Sequence, residues 1–507
     1  MIGNTMKEII YAIFLSFFLC GLCGNAEAKK KKEVKKAIKR EVQTPYDKLF
    51  KGKKAFTVNG LMKMHLMAGK VYAEFPIELL NRDLALTSSI EDISDNGEGV
   101  VGQFAGRVNQ FRFTLQDSML QARLVRRYGV KNTGMGKNAD QIIERSNTPG
   151  IFQSYKILAY TPDKKAVVVD MTELFLESSR LTNPFPSYAG NSLYGFVQRI
   201  HKFQSQRSEL LGICGNDNSM SVRCNLGFNV DRLVLGSFMQ AKDVPVSVTV
   251  NKILMLLPED PMRPRLADSR IGVNAIIQTE LPDVCQGIKT YYITKRWRIE
   301  PVDEIRYKQG EMVDVKKPIV FYIDTLMPDS WIKYVKAGAE AWNAAFEKIG
   351  LRNVVRTELF PKDSSFDAGD IHNSVIRYAP SWMYYPQYSM HTDPRTGEIL
   401  NASVYLPANV ASYFYTSRTE ETMAVDPSVR KARLSEEQFG EMFKAKMMQA
   451  IGRCLGLTDN YAASSVYPVD SLRSASFTRK YGVVASVMDD FTCNKIAQPE
   501  DVKKGVV

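Results

Sequence analysis

The chain has 507 residues, of which 45% are hydrophobic and 24% are charged. This length exceeds that of a single ordinary domain, and the composition is typical of a soluble globular protein with sizeable cores. The formal net charge of +12 is concentrated at one end, because the segment from Lys29 to Arg40 carries eight basic side chains and one acidic one. We therefore expect at least two folded domains behind a basic N-terminal segment.

The first 28 residues have the layout of a secretory signal. An uncharged, largely apolar run from Ile9 to Gly24 follows Lys7, and small residues precede a cleavage site that we place after Ala28. A membrane anchor is the alternative, but 16 residues are fewer than the roughly 20 that a spanning helix needs. The sequence therefore predicts a secreted protein, periplasmic, at the cell surface or extracellular.

Residues 29–55 are predicted to form a basic linker. The cluster from Lys29 to Arg40 could contact anionic lipid at a membrane surface, polysaccharide or nucleic acid. The alternative, a solvated tether, is favoured over nucleic-acid binding because no aromatic side chain is interleaved to stack on bases. We therefore expect no nucleic-acid partner.

Residues 56–310 are predicted to form a β-rich N-terminal domain. Residues 70–76 and 107–115 alternate apolar and polar side chains, as half-buried antiparallel strands do. Three further runs are apolar or β-branched and predict buried strands, at residues 166–170, 246–250 and 253–257. No internal repeat or nucleotide-binding glycine pattern is present, so this half is expected to act as a folding or docking partner of the second half.

Residues 311–507 are predicted to combine strands with two long helices. A strand is expected at residues 318–324, a helix at 329–350, and strands at 354–360, 374–378 and 399–406. A last helix over residues 436–455 starts at a capping box made by Ser435 and Gln438. This helix is expected to bury Phe439, Met442, Phe443, Ala450, Ile451 and Cys454, and to turn Ala445, Gln449 and Arg453 toward a cleft.

The end of this helix carries a spacing that is specific to one kind of metal site. Gln449, Arg453, Gly456 and Asp459 fall at i, i+4, i+7 and i+10, the spacing at which a metzincin protease places three zinc ligands around a glycine turn. The alternative is an ordinary helix C-terminus with a glycine after it.

Several stretches around this frame resemble one bacterial family of secreted zinc-dependent metalloproteases, the met-zincins with two uncharacterised N-terminal regions. They are residues 258–265 with Asp268, Arg270, Ile271 and Gly272, then residues 317–324, 391–400, 424–427, 484–491 and 497–501. The resemblance runs from about Phe56 to the end. It implies an α+β fold whose second domain is zincin-like, with a mixed sheet, a long active-site-type helix and a last strand flanking a cleft. It also implies zinc and peptide-bond hydrolysis.

This sequence departs from the family at each residue that carries the chemistry. The ligand positions hold Gln449, Arg453 and Asp459, and the position of the catalytic glutamate holds Ala450. An amide is a poor zinc ligand, a guanidinium repels a dication, and a methyl group cannot take a proton. We therefore expect neither zinc nor any other cofactor.

Gly456 and Met488 match the glycine turn and the Met-turn methionine of the family, and we expect Met488 to act in core packing. His391 lies in a stretch that resembles the cleft side. As a lone histidine, it is expected at the surface or in a hydrogen bond.

The resulting prediction is a metzincin-fold pseudoprotease that binds an extended peptide or a protein partner. The alternatives are a zinc-dependent metallopeptidase with atypical ligands and a surface protein that acts through the segment from Lys29 to Arg40. We also predict that Arg453 and Asp459 form an ion pair in place of the metal, with Gln449 as a hydrogen-bonding neighbour, the alternative being that both point into solvent.

Five cysteines would remain after cleavage, so at least one must be free. Cys214 with Cys224 is the best local disulfide candidate, and Cys454 with Cys493 would link the last helix to the Met-turn. Free buried cysteine is the alternative for both pairs.

Overall fold

The computed structural model describes residues 43–125, 130–132, 137–178, 181–185, 197–281, 287–362, 366–381, 383–490 and 493–506. The predicted signal, the basic segment from Lys29 to Arg40 and Cys285 lie outside these residues. Helices and strands are both abundant, with strands concentrated in the first half, which confirms the predicted α+β class.

The strands, in chain order, are β1 (Phe56–Val58), β2 (Lys63–Met67), β3 (Lys70–Pro76), β4 (Leu84–Ile93), β5 (Phe104–Gln116), β6 (Met119–Leu124), β7 (Val130–Asn132), β8 (Gly150–Lys156), β9 (Ala159–Tyr160), β10 (Ala166–Asp170), β11 (Val197–Asn216), β12 (Ser219–Val234), β13 (Phe238–Leu256), β14 (Ala275–Leu281), β15 (Lys289–Thr294), β16 (Val313–Asp314), β17 (Ile319–Ile323), β18 (Leu351–Arg352), β19 (Val355–Leu359), β20 (Ser374–Ala379), β21 (Gln387–Thr392) and β22 (Ile399–Pro407). The helices are α1 (Pro45–Phe50), α2 (Lys137–Ser146), α3 (Thr172–Leu176), α4 (Glu304–Lys308), α5 (Asp329–Glu340), α6 (Asn343–Glu347), α7 (Val410–Thr422), α8 (Glu436–Cys454), α9 (Val469–Leu472) and α10 (Ala475–Tyr481).

The first half of the chain is built mainly from two antiparallel sheets. One has the order β1-β2-β3-β10-β9, and the other has the order β11-β12-β13-β4-β5-β6-β8. They enclose a common core in which Phe75, Phe113 and Phe175 are fully buried. The predicted strands at 70–76 and 166–170 match β3 and β10, and the predicted strand at 107–115 lies within β5.

The two predicted strands at residues 246–250 and 253–257 are instead one strand, β13. The polar residues between them, Asn251 and Lys252, pair in register with Arg223 and Val222 and do not form a turn. Lys252 is fully buried and donates a hydrogen bond to the carbonyl of Glu177. A buried lysine with a backbone partner therefore continues the strand where the sequence suggested a break.

The predicted disulfides are absent, and Cys214, Cys224, Cys454 and Cys493 are free thiols. In the β11–β12 pair, Cys214 lies opposite Ser221 and Cys224 lies opposite Leu210, so the two sulfurs are out of register. Cys454 lies in the hydrophobic core of the second half of the chain, whereas the Cys493 thiol contacts Glu421.

The second half contains a five-stranded mixed sheet with the order β19-β17-β20-β22-β21. The first four strands are parallel, and β21 pairs antiparallel with β22 at the edge. The resemblance placed the last predicted strand, residues 399–406, beside the cleft. That strand is β22, which is internal, because the chain turns back through β21 before it and the edge position goes to Gln387–Thr392.

Helices α5 and α8 pack closely on one side of this sheet. A Cβ added at Gly338 would lie 2.6 Å from Cβ of Met447, so the glycine permits the close approach of the two helices. The predicted helix over 329–350 is interrupted after Glu340. There the Asn343 amide exchanges two hydrogen bonds with the backbone of Val355, and this ties the second part, α6, to β19.

The predicted last helix is confirmed as α8, and its N-terminus has both hydrogen bonds of the Ser435–Gln438 capping box. Phe443, Ala450, Ile451 and Cys454 are buried as predicted, whereas Phe439 and Met442 are partly buried. Helix α7 was not predicted, because its apolar residues show almost no helical periodicity.

Residues Pro45–Val507 form one compact unit. The division at residue 310 stays a prediction. Among the described residues, no helix is long and apolar enough to cross a membrane.

Candidate functional site

The candidate site lies along the polar face of α8. Lys446, Gln449 and Arg453 are spaced by three and four residues, so they share one side of the helix. Ala445, which the sequence assigned to this row, is exposed, and Lys446 extends the row as a buried residue. Sequence reasoning missed Lys446 because lysine is almost never buried without a partner.

Gln449 joins α8 to the Met-turn, the segment around Met488. Its side chain is 3% exposed, and its amide nitrogen donates to the carbonyl of Asp489 at 3.0 Å. Its oxygen accepts from the Lys446 ammonium at 3.3 Å, and Lys446 forms an ion pair with Asp490. The predicted role of Gln449 beside the Arg453–Asp459 pair is therefore wrong, because its amide hydrogen bonds go to the Met-turn backbone and to Lys446.

The predicted ion pair between Arg453 and Asp459 is present. Nη2 and Nε of Arg453 lie 2.6 Å and 2.9 Å from the same oxygen of Asp459. The two side chains are 20% and 30% exposed, so the pair is partly shielded from water. The pair connects the end of α8 with the chain that follows its terminal turn.

Gly456 makes that turn. Its φ of +101° lies outside the region that residues with a side chain adopt easily, and an added Cβ would lie 2.4 Å from the carbonyl oxygen of Lys295. The amide of Leu457 then donates back to the carbonyl of Gly452 at 3.0 Å. Only glycine suits this position.

Met488 packs directly beneath α8. A Cβ added at Gly452 would lie 2.4 Å from the Met488 sulfur and 2.6 Å from the Trp342 ring, so the glycine makes room for both. The Met488 carbonyl accepts from the amide of Asn460 at 2.9 Å. Ala450, at the position of the family glutamate, is 3% exposed and belongs to the core.

His391 does not join this site. Its side chain is 2% exposed, and its Nε2 lies 3.2 Å from the hydroxyl of Thr87 on β4. Burial lowers the pKa of His391 from 6.5 to about 4. Successive residues of a strand face opposite sides, so Tyr388 of β21 lies toward α8 and His391 lies toward the first half of the chain.

Tyrosine rings line the outside of the polar row, and the sequence analysis did not single them out. The Arg453 guanidinium lies 6.0 Å from the centre of the Tyr388 ring, and the hydroxyl of Tyr461 donates to Asp459 at 3.3 Å. Tyr385 and Tyr413 are in ring contact, with centroids 4.5 Å apart. These tyrosines lie on different elements, so only the fold brings them together.

No group of three or more histidine, cysteine, aspartate or glutamate side chains is arranged to hold a metal within the part of the chain that the structure describes. This finding includes the surroundings of Asp459.

Comparisons with known proteins found two family models that match parts of the chain. A family model described as Met-zincin matches residues 431–506, which contain α8, the Gly456 turn and Met488. A second model, described as Domain of unknown function (DUF5117), matches residues 102–302. No curated protein and no solved structure matches the chain. The C-terminal region is therefore similar to a met-zincin, with a metalloprotease-like fold built around α8.

Proposed function

We propose that this chain is a secreted pseudoprotease, which holds an extended peptide or a protein partner in its metzincin-type cleft and does not cleave it. One observation carries the proposal: the side chains at the three ligand positions are bonded to the protein itself. Gln449 bonds to the Met-turn backbone, and Arg453 bonds to Asp459. Secretion rests on the predicted signal that ends at Ala28.

The side chains present do not suit a zinc ion. Zinc in such sites is bound by imidazole, thiolate and carboxylate groups, and the only one of these at the three positions is Asp459, which Arg453 occupies. The ammonium of Lys446 and the guanidinium of Arg453 both flank Gln449, so a dication would meet two positive charges. Ala450 supplies no general base.

Peptide binding is supported by the edge strand β21. In the described part of the sheet, β21 pairs only with β22, so its other side can receive a further strand. Gln387, Ser389 and Met390 are partly exposed, whereas His391 and Thr392 are buried. The accessible edge is therefore the first part of the strand, which lies next to α8 through the contact of Tyr388 with Arg453.

Metal analysis tests the loss of zinc. The mature protein should purify without stoichiometric zinc, and a chelator should leave its melting temperature unchanged, because a bound ion would stabilise the folded state. One equivalent of zinc retained through dialysis, together with chelator-sensitive proteolysis that Asp459→Ala abolishes, would instead establish a metallopeptidase with atypical ligands.

A gain-of-function variant tests whether the frame keeps the metzincin geometry. Gln449→His, Arg453→His and Asp459→His combined with Ala450→Glu restore the three ligands and the base of the family pattern. This variant should bind about one zinc per chain, whereas a control with only Ala450→Glu should not. A folded quadruple variant without zinc would show that the backbone differs from that of a working site.

Deletion of residues 29–40 separates the pseudoprotease from a protein that acts through its basic segment. Peptide binding should survive the deletion, because the proposed binding surface is formed by α8 and β21, outside residues 29–40. The opposite result has two parts: the deletion abolishes peptide binding, and the undeleted chain binds anionic vesicles. That result would show that the basic segment, and not the cleft, is the functional surface.

A further inference from the structure

Four tyrosines lie near the polar row of α8, Tyr385, Tyr388, Tyr413 and Tyr461, and we term them the tyrosine cluster. The side chains of Tyr385, Tyr388 and Tyr461 are 43%, 41% and 63% exposed, and Tyr413 is partly buried. Tyrosine is enriched among the residues that contribute most to binding at protein interfaces. The cluster is therefore a candidate contact surface beside the polar row of α8.

Two carboxylates lie near the cluster, Asp459 in the segment after α8 and Asp490 in the segment after Met488. Asp459 accepts a hydrogen bond from the hydroxyl of Tyr461, and Asp490 interacts electrostatically with both Tyr413 and Tyr461. Asp459 keeps 30% of its side chain exposed and Asp490 keeps 45%, although each forms an ion pair on its inner side. Both carboxylates can thus accept further hydrogen bonds from the open side.

We propose that the tyrosine cluster, with Asp459 and Asp490, is a recognition site for the guanidinium of an arginine in the bound peptide. This inference rests on the proposed peptide-binding function of the same cleft. Aromatic faces attract cations, and a planar guanidinium can stack on a ring while its N–H groups donate to a carboxylate. The protein already uses this geometry internally, since the guanidinium of Arg453 lies over the Tyr388 ring and bonds to Asp459.

A pair of peptides tests the proposal without altering the protein. The probe is a fluorescein-labelled, end-capped heptapeptide with arginine at its centre and valine, serine and glycine elsewhere. In the control, citrulline replaces arginine and keeps its shape without the charge. Fluorescence anisotropy with the mature protein should show binding of the arginine peptide and about 10-fold weaker binding of the citrulline peptide, a difference of about 1.4 kcal/mol.

The outcomes separate this inference from the proposed function. Equal affinity for the two peptides would overturn arginine recognition and leave peptide binding in place. No binding of either peptide would overturn the proposed function and this inference together. A lysine peptide as tight as the arginine peptide would show that only charge is recognised and would overturn the role of the planar guanidinium.

Variants of the protein locate the effect. Tyr388→Phe keeps the ring and should bind the arginine peptide within about 2-fold of the unchanged protein, whereas Tyr388→Leu should bind it at least about 5-fold more weakly. Tyr388→Leu should weaken binding of the citrulline peptide less than binding of the arginine peptide. The matched control is Tyr160→Leu, which removes a tyrosine of similar exposure from a different sheet and should change neither affinity. Equal losses from Tyr388→Leu and Tyr160→Leu would overturn the proposal.

Discussion

Two of the groups of polar contacts in the C-terminal region, which we term the buried joint and the cleft joint, use different chemistry. The buried joint connects β21 and β22 to the first half through His391 with Thr87 and Tyr405 with Phe104. Its groups are neutral and almost fully buried. The cleft joint connects α8 to the segments after it, and its main contacts are the ion pairs of Lys446 and Arg453.

The difference follows from the cost of removing charge from water. An ionised group without access to water is strongly disfavoured, so the buried joint is restricted to hydroxyl, imidazole and backbone groups. In the cleft joint, Asp459 and Asp490 keep part of their surface in water, which lowers that cost. The cleft joint can therefore use charged side chains, because they remain hydrated on one side.

The largest expected effect is a loss of folding stability in acid, caused by protonation of His391 in the buried joint. The pKa of His391 is about 4 when folded and about 6.5 when unfolded, so the unfolded chain binds the proton more tightly. The neutral His391 side chain makes its full contribution to the free energy of unfolding above pH 6.5. As the pH decreases to 4, the free energy of unfolding falls by about 3 kcal/mol. Urea unfolding at pH 7 and pH 4.5 measures how much free energy of unfolding is lost between these pH values. This loss should be smaller for His391→Gln than for the unchanged protein. Identical pH dependence would contradict this.

The two partners of the Lys446–Asp490 pair should differ in importance. Asp490→Ala leaves the ammonium of Lys446 buried with only the oxygen of Gln449, and should reduce the free energy of unfolding by about 1–3 kcal/mol. Lys446→Met removes the buried charge and leaves Asp490 facing water, so the loss should stay below about 1 kcal/mol. Urea titrations measure both. The reverse order would mean that Lys446 is not the desolvated partner.

Removal of one hydroxyl should weaken the buried joint. The Tyr405 hydroxyl accepts from the amide of Phe104 at 3.3 Å and bonds to Ser389 at 2.8 Å. Tyr405→Phe leaves the buried amide of Phe104 and the partly exposed hydroxyl of Ser389 without this partner, and should cost about 1–2 kcal/mol in thermal or urea unfolding. Tyr415→Phe is the control, since its hydroxyl bonds to the carbonyl of Lys431 at the surface. Equal costs would show that burial does not strengthen the contact.

The smallest effect is expected for the outer pair of the cleft joint. Arg453→Ala and Asp459→Ala should each cost up to about 1 kcal/mol, and the double variant should cost less than the sum. The coupling energy should shrink at 1 M salt, because part of the pair is exposed. Strictly additive losses would show that the ion pair contributes nothing to joining the two segments.

Much of the local structure was predictable because it depends on near neighbours in the chain. The capping box of Ser435 and Gln438 set the start of α8, and the alternation in residues 70–76 set the bounds of β3. The opposite charges of Arg453 and Asp459, on either side of the Gly456 turn, predicted their ion pair. Gly456 could be assigned a turn because glycine adopts positive φ at little cost.

Tertiary structure alone decided the features that depend on distant partners. Lys252 and Lys446 are buried because the carbonyl of Glu177 and the carboxylate of Asp490 come to them from segments far along the chain. The edge position of β21 follows from the pairing of whole strands, and the tyrosine cluster gathers rings from β21, α7, the segment before β21 and the segment after α8. Local sequence patterns report which face of an element is apolar, but the partner that compensates a buried charge is set only when the elements pack.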